Sequence, residues 1–181
     1  MRKFLYVFCV ITLIIFILAP GTIEAKKFKT HYYPSIAKEE FVLGGIKIDD
    51  NIDIVKKVYG EPSRTYNEYM PSEDSYFTIY CYGDSLKVYA YNAMNFPHKV
   101  FRVITTANNG IVAPSGIPVG ETCEAVLAYY GYDNVAEFVN NYTSISDING
   151  QYHVRHEQET VLVYTIKNGK IAEICLSQYV G

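Results

Sequence analysis

Tryptophan is absent from this chain, and cysteine is scarce, with four residues in 181. Outside the apolar N-terminus there are three cysteines, Cys81, Cys123 and Cys175, so at most one disulfide can form among them. Neither a CxxC nor an HxxxH pair occurs, although structural zinc sites use such spacings. The scarcity excludes a disulfide-stapled scaffold and a zinc module, while a bridge between Cys123 and Cys175 stays open.

The chain also lacks a strong excess of either positive or negative charge. The chain has 16 basic and 19 acidic side chains, a net charge of −3, and no block of either sign. A protein that binds nucleic acid needs a basic surface to replace the counterions of the phosphates. We therefore expect no nucleic-acid partner.

The usual signatures of catalysis are missing as well. No glycine-rich phosphate loop occurs, and no nucleophile stands beside a partnered base. Glu157 and Glu159 flank a predicted turn, which is an ordinary solvated position. His153 and His156 lie three residues apart in a predicted strand and point to opposite faces. The sequence predicts no catalytic residue, no metal and no cofactor.

Apolar residues are concentrated at the N-terminus. Arg2 and Lys3 precede an apolar run at residues 4–19, Pro20 and Gly21 break this run, and the segment ends at Ala25. This order is typical of an export signal, and the run is shorter than the roughly 20 residues of a spanning helix. We predict a signal peptide at residues 1–25 and an exported protein that is periplasmic, cell-surface or secreted. The alternative is an uncleaved anchor, which is the one arrangement in which we expect contact with a membrane.

The rest of the chain contains an internal similarity. Residues 45–60 align with residues 116–131 at an offset of 71, without a gap. The identical pairs are Gly45/Gly116, Ile46/Ile117, Val55/Val126, Tyr59/Tyr130 and Gly60/Gly131. This pattern indicates a duplication. We predict an N-terminal extension at residues 26–42, a first repeat at 43–110 and a second repeat at 111–181.

Each copy carries the signature of a short helix, with an N-cap, an early acid and a terminal glycine. These residues are Asn51, Asp53 and Gly60 in the first copy and Thr122, Glu124 and Gly131 in the second. An apolar stripe at i, i+3 and i+7 predicts one buried helical face. It consists of Ile52, Val55 and Tyr59, matched by Cys123, Val126 and Tyr130. Cys123 is therefore predicted to be a core side chain.

Segments rich in aromatic and β-branched residues follow each helix and predict strands. They lie at residues 64–69, 75–82, 85–91 and 99–106, and at 143–148, 151–156, 160–166 and 170–178. The predicted two-residue turns are Gly83-Asp84, Asn149-Gly150 and Asn168-Gly169, and an extra helix is predicted at residues 134–141. The predicted fold is α+β, with two tandem helix-plus-four-stranded antiparallel meanders. These form one continuous sheet of about eight strands with the helices on one face.

Alternation along the strands predicts which side chains contact the helices. The inner set contains Phe77, Ile79, Cys81, Leu86, Val88, Ala90, Phe101 and Val103. The opposite face is predicted to be open and rich in tyrosine, of which the chain has 18. We predict a partner-binding site formed by Tyr76, Tyr80, Tyr82, Asp84, Lys87, Tyr89, Tyr91, Arg102 and Tyr164. Tyrosine and arginine are common hot-spot residues of protein interfaces.

A family resemblance accompanies this pattern. Residues 48–60 and 119–131 each contain an apolar residue, a turn, an N-cap, a central valine and a terminal Tyr-Gly. They resemble the two repeats of the secreted β-lactamase-inhibitor proteins. They are also similar to the single repeat of the small outer-membrane lipoproteins of the SmpA/OmlA (BamE) type. The first resemblance implies a concave sheet that grips a protein and an acidic hairpin tip at Asp84.

The hypothesis from the sequence is an exported, non-catalytic module that binds an unknown protein through the tyrosine-rich sheet face. The alternatives are an envelope assembly or structural component, an inhibitor of a secreted enzyme, and a module that binds glycan by stacking. Tyrosine also has high strand propensity and pairs across strands without binding a partner, so a purely structural role stays open.

Overall fold

The computed structural model describes residues 36–71, 74–92, 98–156 and 159–178. The predicted signal peptide at residues 1–25 and most of the predicted extension at residues 26–42 lie outside this part of the chain. Within the described ranges, no helix has the length and apolar character needed to cross a membrane.

Two short helices and ten strands occur in the described structure. The helices are α1 (Ile52–Tyr59) and α2 (Glu124–Tyr130). The strands are β1 (Val42–Leu43), β2 (Ile46–Lys47), β3 (Arg64–Met70), β4 (Ser75–Tyr82), β5 (Leu86–Tyr91), β6 (Val100–Thr105), β7 (Val135–Val139), β8 (Gly150–His156), β9 (Thr160–Lys167) and β10 (Lys170–Gln178). Single turns of 3-10 helix lie at Lys38–Glu40, Tyr132–Asn134 and Ile145–Asp147.

Eight of the strands form one antiparallel sheet in the order β3-β4-β5-β6-β10-β9-β8-β7, and β1 pairs with β2 in a separate hairpin. The predicted α+β class and the eight-stranded antiparallel sheet are therefore confirmed. The two four-stranded runs meet where β6 pairs with β10 in the centre of the sheet. β3 and β7 form its two edges.

The helix ends follow the predicted signals at three of the four positions. The Asn51 side chain accepts a hydrogen bond from the Asp53 amide at 2.9 Å and caps α1. Gly60 and Gly131 have φ near +80° and donate to the carbonyls of Lys56 and Leu127. This left-handed geometry favours glycine at both helix ends.

The prediction of Thr122 as an N-cap is wrong. α2 begins at Glu124, and Cys123 already has helical dihedral angles, so no side chain caps this helix. The Cys123 amide donates instead to the Gly169 carbonyl at 2.9 Å, and Thr122 forms a bridge with Lys170. The Gly169 carbonyl, in the turn before β10, therefore accepts a hydrogen bond from the helix start that a capping side chain would otherwise accept.

The region between α2 and β8 differs from the prediction. The segment predicted as a helix at residues 134–141 contains β7, and the predicted strand at residues 143–148 contains a 3-10 turn. Val135 and Ala136 are buried, and they pair with Val154 and His153 of β8. Asn149-Gly150 is not a two-residue hairpin turn, because Gly150 lies opposite Val139 and a longer loop joins β7 to β8.

One hydrophobic core contains residues from both helices and from the inner face of all of the strands except β3. Ile52 and Val55 of α1 and Val126 and Tyr130 of α2 are buried in it, as predicted. The prediction that Cys123 is a core residue is also confirmed, since its side chain is fully buried.

The three described cysteines are free. Cys175 lies opposite Ile104 of β6 and Val163 of β9, on the side of the sheet that faces away from the helices. Cys123 lies on the helix side, so the sheet separates the two thiols. A Cys123–Cys175 disulfide is therefore excluded in this fold.

Candidate functional site

The register of β4 with β5 decides which side chains face the helices. Tyr80 lies opposite Val88 and Tyr82 lies opposite Leu86, and both partners are core residues. The side chains of directly opposed residues point to the same face of a sheet. Tyr80 and Tyr82 therefore face the helices, and we call the opposite side of the sheet the outer face.

The prediction that Tyr80, Tyr82 and Tyr164 belong to an open face is wrong. Tyr80 is 8% exposed in the core, and the Lys56 ammonium lies 5.9 Å from the centre of its ring. The Tyr82 ring packs 5.6 Å from the ring of Tyr59 in α1. Tyr164 is fully buried.

Two of these tyrosines have strongly altered acidity. Burial raises the pKa of Tyr82 to about 12, and the negative charge of Glu61 adds to the rise. Burial also raises the pKa of Tyr164, whose hydroxyl lies 3.3 Å from Ser115 Oγ and 3.4 Å from Tyr130 Oη. Both phenols are therefore neutral groups of the interior at neutral pH.

The physical reason for the error at Tyr80 and Tyr82 is one residue in the β4–β5 turn. The sequence predicts a two-residue turn at Gly83-Asp84, whereas three residues separate Tyr82 from its partner Leu86. A register shift of one residue moves every side chain of a strand to the other face. The predicted inner residues Phe77, Ile79 and Cys81 consequently lie on the outer face.

Two predicted residues lie apart from the others. Tyr76 is on the same side of the sheet as Tyr80, but it is 57% exposed and contacts the ring of Tyr69 at 5.2 Å. Asp84 is exposed in the turn between β4 and β5. Tyr76 therefore lies on the helix side of the sheet and Asp84 lies in a turn, so neither residue belongs to the outer face.

Four predicted residues do lie together on the outer face, namely Lys87, Tyr89, Tyr91 and Arg102. Aromatic side chains of β3, β4 and β6 join them and form a surface that we call the aromatic patch. The aromatic patch consists of Tyr66, Phe77, Tyr89, Tyr91 and Phe101, with Arg64 and Arg102 beside it. Phe101 is its buried base, and the other four rings are half-buried.

A β-bulge places Phe101 in this patch. Tyr89 lies opposite Arg102 and Ala90 lies opposite Val100, so Phe101 has no partner in β5. The extra residue turns its side chain to the outer face, where its ring lies 4.5 Å from Tyr91 and 5.6 Å from Phe77. The prediction that Phe101 faces the helices is therefore wrong.

Cationic side chains lie over the rings of the aromatic patch. The Arg102 guanidinium is 5.7 Å from the centre of the Tyr89 ring, and that of Arg64 is 5.5 Å from the Tyr66 ring. Burial raises the pKa of Tyr89, with a further rise from Tyr66, although Arg102 opposes it. The Tyr89 hydroxyl is therefore a neutral hydrogen-bonding group at neutral pH.

The thiol beside the aromatic patch is not an activated nucleophile. Burial raises the pKa of Cys175 to about 11, although the nearby Arg102 guanidinium lowers it. A thiol with this pKa is protonated at neutral pH and reacts slowly. Among the described residues, no group of three His, Cys, Asp or Glu side chains is arranged to hold a metal ion.

A concave region, separate from the aromatic patch, lies at one end of the sheet. It is a depression of about 480 Å³ between the N-terminal 3-10 turn and the ends of β9 and β10. Its lining includes Lys38, Lys47, Asp49 and Glu159, so charges of both signs surround it. This mixture does not favour a ligand of one charge.

The residues that the sequence analysis missed are Arg64, Tyr66, Phe77 and Phe101. Phe77 was missed because its face depends on the length of the β4–β5 turn, which the sequence analysis predicted one residue too short. The bulge at Phe101 has no corresponding signal in the sequence. Comparison of the chain with protein-family models, curated proteins and solved structures found no match.

Proposed function

We propose that this protein is an exported, non-catalytic module that binds a protein partner through the aromatic patch. The observation that carries the proposal is the clustering of four half-buried aromatic rings with two arginines on the outer face. Tyrosine and arginine dominate interface hot spots because they offer large contact area together with hydrogen bonds. Export is supported by the order of two basic residues, an apolar run and Pro20-Gly21 before Ala25 in residues 1–25.

The ring geometry favours a protein partner over a glycan. A sugar stacks on an open ring face, whereas the rings of the aromatic patch cover one another. Phe77 meets Phe101 edge-on at 88°, and Tyr89 meets Phe101 at 67°. The Tyr89 and Tyr66 rings also carry arginine groups over them. This arrangement suits the irregular surface of a folded protein better than a flat sugar ring.

We also infer that the fold consists of two copies of one helix-plus-meander unit. Backbone hydrogen bonds recur at the sequence offset of 71, since the Asp49 amide donates to Val100 and the Gly120 amide donates to Ile171. The isolated bridges repeat in the same way, with Asn51 paired to Lys99 and Thr122 paired to Lys170. The bulge at Phe101 has its counterpart at Ala172 of β10. The aromatic patch lies in the first copy.

A direct binding experiment tests the function. The wild-type protein is used as bait against the exported fraction of its native cell, and each captured protein is purified and its affinity measured. We expect the double variant Tyr89→Ala/Arg102→Ala to lose binding while it remains folded. Tyr132→Ala is the matched control, since Tyr132 is 72% exposed but lies outside the aromatic patch.

Two further variants separate the alternatives. Asp84→Ala tests an inhibitor-like role of the hairpin tip. If Asp84→Ala lost binding while Tyr89→Ala/Arg102→Ala retained it, the result would contradict the aromatic patch as the binding site. Tyr80→Ala serves as the stability reference, because removal of a buried aromatic ring destabilises a core by about 3 kcal/mol. Equal binding by the wild type and the double variant would refute the proposal.

A further inference from the structure

The β3 edge of the sheet is open in the described structure. β3 pairs with β4 on one side, and no described strand pairs with it on the other. It has seven residues, and all of their side chains are exposed or half-buried. An edge strand of this length presents a row of unpaired backbone groups to any strand that can align with it.

The ladder identifies the backbone groups that point outward. The Asn92 amide donates to the Tyr76 carbonyl at 3.3 Å, so Tyr76 and every second residue after it in β4 bond to β5. The residues between them bond to β3, where their register partners are Arg64, Tyr66 and Glu68. The other residues of β3 turn their N–H and C=O groups outward, and these are Thr65, Asn67 and Tyr69.

The charges of β3 are unpaired within the described part of the chain. The one ion pair found there joins Lys56 to Glu61, and neither Arg64 nor Glu68 has an opposite charge within 4 Å. Both side chains are exposed on the outer face, four residues apart. At about 3.3 Å per residue they are roughly 13 Å apart along the strand, too far to pair with each other.

We propose that β3 binds a second copy of this chain, with the two β3 strands antiparallel about a two-fold axis at Tyr66. This pairing sets Arg64 of each copy opposite Glu68 of the other. The two-fold axis therefore generates two pairs of opposite charges. Thr65 of each copy lies opposite Asn67 of the other. These are the residues whose backbone groups point outward, so each such pair forms two ladder hydrogen bonds.

The two Tyr66 rings meet at the axis. Tyr66 turns its own backbone groups toward β4, so Tyr66 and its symmetry mate form a non-hydrogen-bonded pair, the closest kind in an antiparallel ladder. Aromatic pairs at such positions stabilise strand pairing. The sheets of the two copies thereby become one continuous sheet with adjacent aromatic patches.

The opposite edge of the sheet lacks this complementarity. β7 has five residues, and Glu137 is its central residue. Glu137 is also the one charged residue of β7, so no symmetric pairing of two β7 strands sets opposite charges against each other. The charge pattern therefore favours β3 as the edge that binds a second copy.

Charge exchange tests the proposal. Sedimentation velocity over a range of concentrations measures the dimer Kd of the protein produced from the full-length chain. We expect Arg64→Glu and Glu68→Arg each to raise this Kd about tenfold or more, because each creates two like-charge pairs. The double variant Arg64→Glu/Glu68→Arg restores opposite charges and should return the Kd to near the wild-type value.

A cross-link tests the register. Tyr66→Cys brings two thiols together at the axis and should give a covalent dimer under mild oxidation. Thr65→Cys is the control and should remain uncross-linked, because Thr65 lies opposite Asn67 of the second copy. A wild-type protein that stays monomeric at its highest soluble concentration would overturn the proposal. So would single charge variants that dimerise like the wild type while circular dichroism shows a native fold.

Discussion

At the scale of single residues, the role of each tyrosine depends on its position in the strand register. Tyr80 and Tyr89 belong to neighbouring strands and were predicted to share one face. Tyr80 is in the core beneath Lys56, whereas Tyr89 is in the aromatic patch beneath Arg102. Composition showed that tyrosine is abundant, but only the pairing of β4 with β5 separates the two roles.

Tyr82 offers a pH-dependent test of this assignment. Its pKa is about 12 in the folded protein and near 10 when unfolded, because folding buries the phenol. Above pH 10 the unfolded chain releases this proton and the folded chain keeps it. The contribution of this phenol to the free energy of unfolding is therefore fully present below pH 10 and is lost as the pH rises toward 12. We expect Tyr82→Phe to lose less stability than the wild type over this interval, as measured by urea denaturation.

The same substitution should be nearly neutral at pH 7. The ring that packs on Tyr59 is retained, and the buried Tyr82 hydroxyl has no hydrogen-bond partner among the described residues. Tyr132→Phe removes an exposed hydroxyl and is the control for the loss of a phenol as such. Identical pH profiles for the wild type and Tyr82→Phe would place the Tyr82 phenol in solvent.

At the scale of elements, predictions succeeded where a local signal agreed with the tertiary partner. The turn Asn168-Gly169 is an example, since both residues have positive φ and lie between β9 and β10. β7 was missed because Val135, Phe138 and Val139 also fit a helical spacing. Its pairing with β8 favours the extended form. This pairing is a tertiary contact, and no local pattern in residues 134–141 predicts it.

Gly169 tests how closely one of these turns is packed. A Cβ at this position would collide with the Ile145 carbonyl, and the backbone φ is +72°. Gly110 has a similar φ of +81°, but nothing lies within 4 Å of its Cβ position. We expect Gly110→Ala to lose about 1 kcal/mol from backbone strain and Gly169→Ala to lose about 1–3 kcal/mol more. Equal losses in urea denaturation would show that Ile145 does not pack on this turn.

At the scale of the whole molecule, the class, the number of strands and the faces of β5 were predictable, whereas the face of β4 and the orientation of Phe101 were not. Strand existence depends on local composition, and seven of the eight sheet strands were predicted within two residues of their observed ends. The assignment of β4 relative to β5 depends on turn length, and one extra residue between Tyr82 and Leu86 reversed the faces of β4. The proposed binding surface is therefore still the sheet face away from the helices, but only four of the nine predicted site residues lie on it.

The shared core also makes a prediction about unfolding. Residues of α1 and α2 belong to one hydrophobic cluster, and β6 pairs with β10 across the middle of the sheet. Separation of the two halves would expose this cluster to water, so we expect the sheet to unfold as one cooperative unit. Cys81 on β4 and Cys123 before α2 are both buried and free, and they report on the two halves.

Thiol labelling in urea, read by peptide mass spectrometry, measures this cooperativity. In urea concentrations where global unfolding dominates, Cys81 and Cys123 should become labelled in parallel, since both require the same opening. Ala136→Cys at the outer face of β7 adds a third reporter near the far edge. Faster labelling of Cys81 than of Cys123 at every urea concentration would show that β3–β6 unfold independently of β7–β10. It would then assign the β6–β10 contact to docking between two separately stable units.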